Sequence, residues 1–253
     1  MKKLTVTLVL LMSLALISSG QSKLSNSDSK FTLGIFGGLN IPRLDGGKGN
    51  ELSRDYTSRA GEAFGLTSSL GIGSKFSLCI NLMYSSEGGK RNGIQAFDAS
   101  SLIPQMPVGT YLYASFDNES VLNYLEVPVM LRYSIPLSKS QKVYANFGTY
   151  IGYLLNATQK TSGSSPIYAD RGETMVFVKE PMPFDASTDI TSSINKINVG
   201  LTGGVGLFQK AGSGDLFLDV RAAYGMMVIQ KDPNNGSSHS GNLLLDLGYA
   251  LHF

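Results

Sequence analysis

The sequence contains no tryptophan and a single cysteine, Cys79. One cysteine cannot form an internal disulfide, and no Cys/His spacing typical of a metal site is present. Charged residues are also scarce, at 16 % of the 253 residues, whereas soluble domains average roughly 25 %. The formal net charge of +2 gives no electrostatic basis for binding nucleic acid. A disulfide-stabilised scaffold is therefore excluded, and no cofactor, metal or nucleic-acid partner is predicted.

Long apolar runs are absent except at the start of the chain. Met1–Lys3 is basic, Leu4–Ile17 is apolar, and Ser18–Gly20 supplies small residues. This arrangement is typical of a secretory signal peptide, whereas a membrane-spanning helix needs about 20 apolar residues. We therefore expect residues 1–20 to be removed on export, by cleavage near Gly20–Gln21.

After a short polar segment, 21–30, we expect one domain, 31–253, built from strands. Apolar residues recur there at every second position, as they do in Asn242–Phe253. This is the period of a β-strand. Eight segments show it, and each has the roughly 9–11 residues with which a tilted strand crosses a bilayer. They lie at 31–41, 63–73, 75–85, 124–135, 142–155, 197–208, 216–228 and 242–253.

The connections between these segments alternate in length. Three are tight turns rich in Gly, Ser and Pro: Gly73–Ser74, Pro136–Gln141 and Ala211–Asp215. The others are long and polar: Pro42–Gly61, Ser86–Ser120, Asn156–Asn195 and Gln230–Gly241. Short periplasmic turns with long extracellular loops are typical of outer-membrane barrels. The sequence therefore predicts an all-β fold, an eight-stranded antiparallel up-and-down transmembrane β-barrel.

The placement of charge distinguishes this barrel from a soluble lipocalin-like one. One face of the segments is almost continuously apolar. The mid-strand charges fall on the other face, at Glu126, Arg132, Asp219, Arg221 and Asp246, with Lys75 near a turn as a possible sixth. An Arg or Lys facing lipid at mid-depth costs about 2–4 kcal/mol. The apolar face should therefore contact lipid, while the charges form a paired structural network inside, with Arg221 bridged to Asp246 or Asp219.

A resemblance to a known family adds to this interpretation. The segment YLEVPVMLRYSIPL (Tyr124–Leu137), followed by GTYIGYLL, resembles the PorT-like outer-membrane β-barrel family of the Bacteroidetes. The final YALHF, with Tyr249, Leu251 and Phe253, is similar to the signal that the outer-membrane assembly machinery reads. The resemblance implies an eight-stranded barrel without enzymatic residues. The name-giving member supports a protein-secretion system, a role that membership does not transfer.

Several local features remain open. Pro128 would remove a ladder hydrogen bond, so we expect a bulge beside Glu126. The segments Gly109–Phe116 and Thr174–Glu180 also alternate; they either extend hairpins above the membrane or add a hairpin, giving ten strands. Eight strands are favoured. Aromatic girdles are expected from Tyr84, Tyr124 and Tyr153 at one rim and from Phe31, Tyr133, Tyr249 and Phe253 at the other.

The predicted function is structural or interactive, with outer loops making surface contacts or supporting a secretion or envelope complex. A small porin for solutes is the alternative. A lipid-modifying hydrolase using His239 is a weaker hypothesis, because a catalytic His needs an orienting carboxylate and a positioned nucleophile. No catalytic residue is predicted. The expected partners are the lipid bilayer, the assembly machinery and secretion-complex proteins, around a monomer in the outer membrane.

Overall fold

The structure, a computed structural model, describes residues 31–107 and 109–253; the predicted signal peptide and the segment 21–30 lie outside them. Thirteen strands form within these ranges. They are β1 (Phe31–Asp45), β2 (Gly61–Gly71), β3 (Phe76–Arg91), β4 (Ile94–Asp98), β5 (Tyr111–Ser115), β6 (Asp117–Pro136), β7 (Gln141–Ser162), β8 (Ser164–Tyr168), β9 (Val176–Pro183), β10 (Ala186–Asp189), β11 (Ile197–Ala211), β12 (Gly214–Gly225) and β13 (His239–His252). Four 3-10 turns accompany them, at Gly47–Gly49, Ala99–Ser101, Thr191–Ser193 and Pro233–Asn235.

Eight of the described strands close into an antiparallel barrel in the order β1-β2-β3-β6-β7-β11-β12-β13. Closure comes from fourteen consecutive residue pairs between β1 and β13, from Thr32↔His252 to Asp45↔His239. Closure leaves no barrel strand with an unpaired edge, which a hydrocarbon environment requires. The eight-stranded barrel predicted from the sequence is confirmed.

The three predicted tight turns all lie at one end of the barrel, here called the short-turn end. Gly212 sits between β11 and β12 with a φ of +61°, a left-handed conformation that glycine adopts without steric cost. Between β6 and β7, the Leu137 N–H donates to the Gln141 carbonyl at 2.9 Å. These local hydrogen bonds fix the strand registers at this end.

The opposite, long-loop end carries a second sheet that the sequence analysis did not predict. Its order is β4-β5-β8-β9, and β10 pairs separately with the outer part of β7. The alternating segments 109–116 and 174–180 contribute β5 and most of β9, so they neither add strands to the barrel nor simply lengthen its hairpins. Barrel strands β6 and β7 are 20 and 22 residues long and extend beyond the membrane-spanning part. The outer sheet lies at their extended ends.

The two faces of the barrel wall differ as predicted. Large apolar side chains point outward and are exposed, for example Ile35 at 66 % and Phe147 at 64 %. Cys79 and the predicted interior charges Glu126, Arg132, Asp219, Arg221 and Asp246 are 7 % exposed or less. In a soluble barrel the apolar side chains point inward and the charged ones outward. The opposite arrangement seen here is the one expected for a barrel surrounded by lipid.

The aromatic girdles are present with one correction. At the short-turn rim, Phe31 lies 6.1 Å from Phe253, and Phe76 lies 5.1 Å from Tyr133 (centroid distances). Tyr124, predicted for the opposite rim, is 1 % exposed and points into the barrel. The reason is its parity: Tyr124 is two residues before Glu126 and therefore shares the inward face.

Pro128 is accommodated without the bulge expected beside Glu126. The β3–β6 pairing keeps its register but is interrupted between Ile80↔Val129 and Met83↔Glu126. The missing proline N–H therefore leaves a gap in one ladder. A bulge does occur on the other side of β6, at Asn123/Tyr124 opposite β7.

Interior glycines make room for interior aromatic rings on neighbouring strands. Gly206 is paired with Tyr144, and Gly248 with Phe217. A Cβ atom at either glycine would collide with the ring of its partner. In each pair the aromatic ring lies over the glycine, which has no side chain, and the ring fills the narrow lumen of the eight-stranded barrel.

Replacing Gly206 by alanine should destabilise the barrel by about 1–3 kcal/mol, because the added methyl overpacks the interior against Tyr144. The matched control is Gly37→Ala on the outward face, where a Cβ would make only ordinary contact with Phe64 at 3.7 Å. Urea unfolding in phospholipid vesicles measures both. Equal stability of the two variants would contradict the proposed packing.

Candidate functional site

Arg221 is the centre of the interior charge network. Its Nη2 lies 2.8 Å from Asp246 Oδ2, and its Nε lies 3.9 Å from Asp219 Oδ1. The three residues are on the adjacent strands β12 and β13, where Asp219 and Asp246 face each other directly. The predicted bridge from Arg221 to one of these aspartates is confirmed, and both take part.

The network narrows the lumen. Asp219 Oδ2 accepts hydrogen bonds from Tyr144 Oη at 2.7 Å and from Asn146 Nδ2 at 3.1 Å, which ties β12 across to β7. Only about 10 Å³ of space remains at this level, among Phe36, Thr67, Asn81, Met130, Arg132, Asn146, Phe217, Asp219, Arg221 and Asp246. A single water needs at least about 10–15 Å³. At this level the lumen therefore narrows to about the space of one water molecule.

Arg132 does not join the network, contrary to the sequence-based prediction, and Lys75, the possible sixth member, does not join it either. The Arg132 guanidinium lies over the rings of Tyr144 and Phe208, with Cζ at 4.5 and 5.0 Å from their centroids. Lys75 is exposed at the short-turn rim, 6.0 Å from the ring centroid of Tyr133. Inward parity was predicted correctly for Arg132, but one of the two aromatics that contact it, Phe208, lies on β11, far away in the sequence.

Glu126 also lacks the predicted basic partner and lies instead beside Glu87, which the sequence analysis missed. Asn242 Nδ2 donates to Glu87 Oε1. The apolar alternation predicts that β3 ends at residue 85 and that Glu87 lies in a loop, whereas β3 continues to Arg91. Extending the inward parity of Cys79, Asn81 and Met83 by two steps would have found it.

An apolar cluster lies above the carboxyl pair, at the long-loop mouth of the barrel. It consists of Leu44, Tyr56, Leu122, Tyr124, Leu154, Ala157, Ile194 and Ile229. A second apolar cluster, around Ala99, Leu112 and Ile167, is the core of the outer sheet. The barrel mouth is thus lined by apolar side chains from both the barrel strands and the outer sheet.

Ion pairs connect the β8–β9 turn to the loop after β1. Arg171 contacts Asp55 at 2.7 Å and Glu51 at 3.1 Å, and Arg54 contacts the same two carboxylates. Asp170 organises the β8–β9 turn, because its carboxylate accepts hydrogen bonds from the Met175 and Thr174 backbone N–H groups. These bonds hold the pKa of Asp170 below its usual value. These ion pairs and hydrogen bonds therefore hold the β8–β9 turn and the loop after β1 in defined positions.

The residues of the proposed assembly signal alternate along the end of β13, and Phe253 follows directly after its last residue. Leu251 and Phe253 are 40 % and 70 % exposed. Tyr249 is half-buried, and its hydroxyl donates to the Ala211 carbonyl at 2.8 Å. All three lie at the short-turn end, as predicted; their role in assembly stays a prediction.

The two histidines lie at opposite ends of the barrel. His239 stacks on Tyr224 with its Nδ1 3.2 Å from the Gly225 carbonyl oxygen, and no serine hydroxyl among the described residues bonds to its ring. His252 Nε2 lies 3.0 Å from Asp215 Oδ2 at the other rim. Within 31–107 and 109–253, no group of three or more His, Cys, Asp or Glu side chains could hold a metal ion. No helix in these ranges is long and apolar enough to span a membrane.

A family comparison identifies the fold. The model of the "Outer membrane protein beta-barrel domain" family matches residues 20–230. The chain belongs to this family. Membership places the protein in the outer membrane, so the short-turn end faces the periplasm and the long-loop end the cell exterior. The match stops before β13, the strand that closes the barrel.

Similar solved structures are outer-membrane proteins at low sequence identity. Ail of Yersinia pestis is 13 % identical (TM-score 0.40), over 89 % of this chain and 100 % of Ail. OprG of Pseudomonas aeruginosa is 12 % identical (TM-score 0.42), over 89 % and 96 %. The outer membrane protease OmpT of Escherichia coli is 12 % identical (TM-score 0.40), over 92 % and 99 %. No curated protein matches the sequence. At such identities and TM-scores, no activity is transferred.

Removing the central guanidinium should destabilise the barrel strongly. Arg221→Met leaves Asp246 and Asp219 buried without their cation, a change that typically costs about 3–5 kcal/mol. Arg43→Met is the matched control, because Arg43 and its partner Asp45 are 53 % and 46 % exposed, and such pairs contribute roughly 0–1 kcal/mol. Urea unfolding in vesicles compares the two. A loss no larger for Arg221→Met than for Arg43→Met would show that the network does not stabilise the barrel.

Proposed function

We propose that the protein is a closed outer-membrane barrel that anchors a folded extracellular surface for contacts with other molecules, without conducting solutes and without catalysis. The observation that carries this proposal is the narrow, charge-paired layer around Arg221. A buried guanidinium bonded to Asp246 and close to Asp219 is costly to move, because each charge would lose its counter-ion. The layer is therefore suited to a permanent seal.

The arrangement of the outer region supports an interaction role. Barrels that only span the membrane need no structure beyond short connections, whereas here a four-stranded sheet with its own apolar core lies above the mouth. The ion pairs of Arg171 with Glu51 and Asp55 join two loops that are 116 or more residues apart in the sequence. Loops held by a rigid scaffold are where binding residues concentrate.

Planar-bilayer recording distinguishes the anchor from the small porin. The reconstituted protein should give no reproducible current steps, because the cavity beside Arg221 has only roughly 10 Å³, about the volume that a single water needs, and the charges around it are paired. A wide porin reconstituted at the same protein-to-lipid ratio serves as the positive control. Reproducible steps of one size from this protein would overturn the closed-barrel proposal and support the porin.

We further propose PorT-like membership, on the resemblance of Tyr124–Leu137, and with it a place beside secretion or envelope proteins. The barrel would act as a monomer there. Chemical crosslinking in native membranes, followed by co-purification, tests this step. Recovery of one defined set of envelope proteins supports it. Recovery of the barrel alone, or of a homo-oligomer, contradicts it.

The assembly machinery is the other proposed partner, through Tyr249, Leu251 and Phe253. Phe253→Ala should reduce insertion in cells by removing the last aromatic of the signal. Phe31→Ala is the matched control, because it removes the same Phe31–Phe253 contact and leaves the signal intact. Both variants should refold equally well in vesicles without the machinery. Equal insertion of the two variants in cells would contradict a signal at Phe253.

A further inference from the structure

A large cavity lies at the extracellular mouth, between the barrel and the outer sheet. Its volume is about 690 Å³, within the roughly 300–1,000 Å³ of small-molecule sites. Both apolar clusters contribute to its wall. The apolar lining includes Leu44, Phe97, Phe116, Ile167, Ile194 and Ile229. A cavity with this lining suits a ligand that is apolar along most of its length.

Arg91 lines this cavity and is 7 % exposed. Its guanidinium lies 4.8 Å from the Tyr56 ring centroid, and Nη1 donates to the Arg54 carbonyl oxygen at 3.4 Å. Its Nε is buried without a hydrogen-bond partner, and no carboxylate of the described residues lies within 4.0 Å of Arg91. A buried cation without a counter-ion is unfavourable. The position therefore favours an anion from outside the chain.

The carboxylates that also line the cavity are already engaged. Asp98 accepts a hydrogen bond from the Ser100 N–H at 2.9 Å, and Asp185 accepts one from the Gly163 N–H at 3.1 Å. Asp98 therefore caps its own 3-10 turn, Asp185 bonds to the turn between β7 and β8, and neither bridges to Arg91. The guanidinium is thus the group in the cavity wall that can pair with an incoming negative charge.

We propose that the extracellular mouth binds a single-chain anionic amphiphile of the fatty-acid class. The carboxylate pairs with Arg91, whose fork of N–H donors matches two carboxylate oxygens. The alkyl chain lies along the apolar wall toward Ile167 and Phe116. This inference goes beyond the anchoring role and does not depend on any protein partner.

The absence of tryptophan allows a direct fluorescence test. Phe97→Trp places a single indole in the cavity wall of the full chain, reconstituted in nanodiscs. The probes are ω-bromoundecanoate and ω-bromoundecanol, because bromine quenches indole only at close range. Quenching should be saturable, with half-saturation at about tenfold lower concentration for the carboxylate than for the alcohol, a difference typical of one charge-assisted hydrogen-bonded pair.

Variants in this background isolate the role of Arg91. Arg91→Gln should weaken carboxylate binding about tenfold and leave the alcohol unchanged. Arg54→Gln is the matched control, because Arg54 is nearby but paired with Glu51 and Asp55, so carboxylate binding should stay unchanged. Heat-modifiable gel mobility verifies that each variant is folded.

A second variant keeps the proposal testable if Arg91→Gln fails to fold. Ala96→Met fills part of the cavity and should weaken both probes together. Non-saturable quenching in the parent, equal affinity for the two probes, or an equal loss in Arg54→Gln and Arg91→Gln would each overturn the proposed site.

Discussion

The structure depends on one constraint, the requirement that every backbone N–H and C=O group inside a bilayer finds a partner within the protein. The long pairing of β1 with β13 meets this requirement by removing both sheet edges. Once the sheet is closed, alternate residues must face either lipid or a narrow interior. The outward apolar rows, such as Ile35 and Phe147, follow directly from that division.

The same closure makes the interior a confined space, in which each buried polar group needs a partner nearby. Three buried arginines have three different kinds of partner. Arg221 is neutralised by Asp246 and Asp219. Arg132 lies beside the rings of Tyr144 and Phe208, which attract a cation through their π faces. Arg91 has one ring, one carbonyl and no carboxylate partner among the described residues.

The sequence predicted what depends on strand period and turn chemistry: eight strands, closure, the inward charges and the Arg221 bridge. It could not predict where the strands end above the membrane, because polar alternation continues there without a lipid-imposed pattern. The pattern therefore predicts a loop at Glu87 and does not predict the outer sheet. The sequence also could not predict which side chains contact each other in the interior. Arg132 and the ring of Phe208, for example, are in contact but far apart in sequence.

The contrast between Arg221 and Arg91 separates stability from binding in this barrel. A guanidinium that is paired within the chain gains little from a further ligand, because displacing Asp246 would leave that carboxylate buried and unpaired. Binding of a ligand anion to Arg91 displaces no carboxylate, because the Nε of Arg91 has no hydrogen-bond partner within the described residues. The membrane-spanning part thus uses its charges for closure, whereas the extracellular mouth keeps a cation beside an apolar cavity. Recognition is therefore expected where the wall extends beyond lipid and the constraint on each side chain is relaxed.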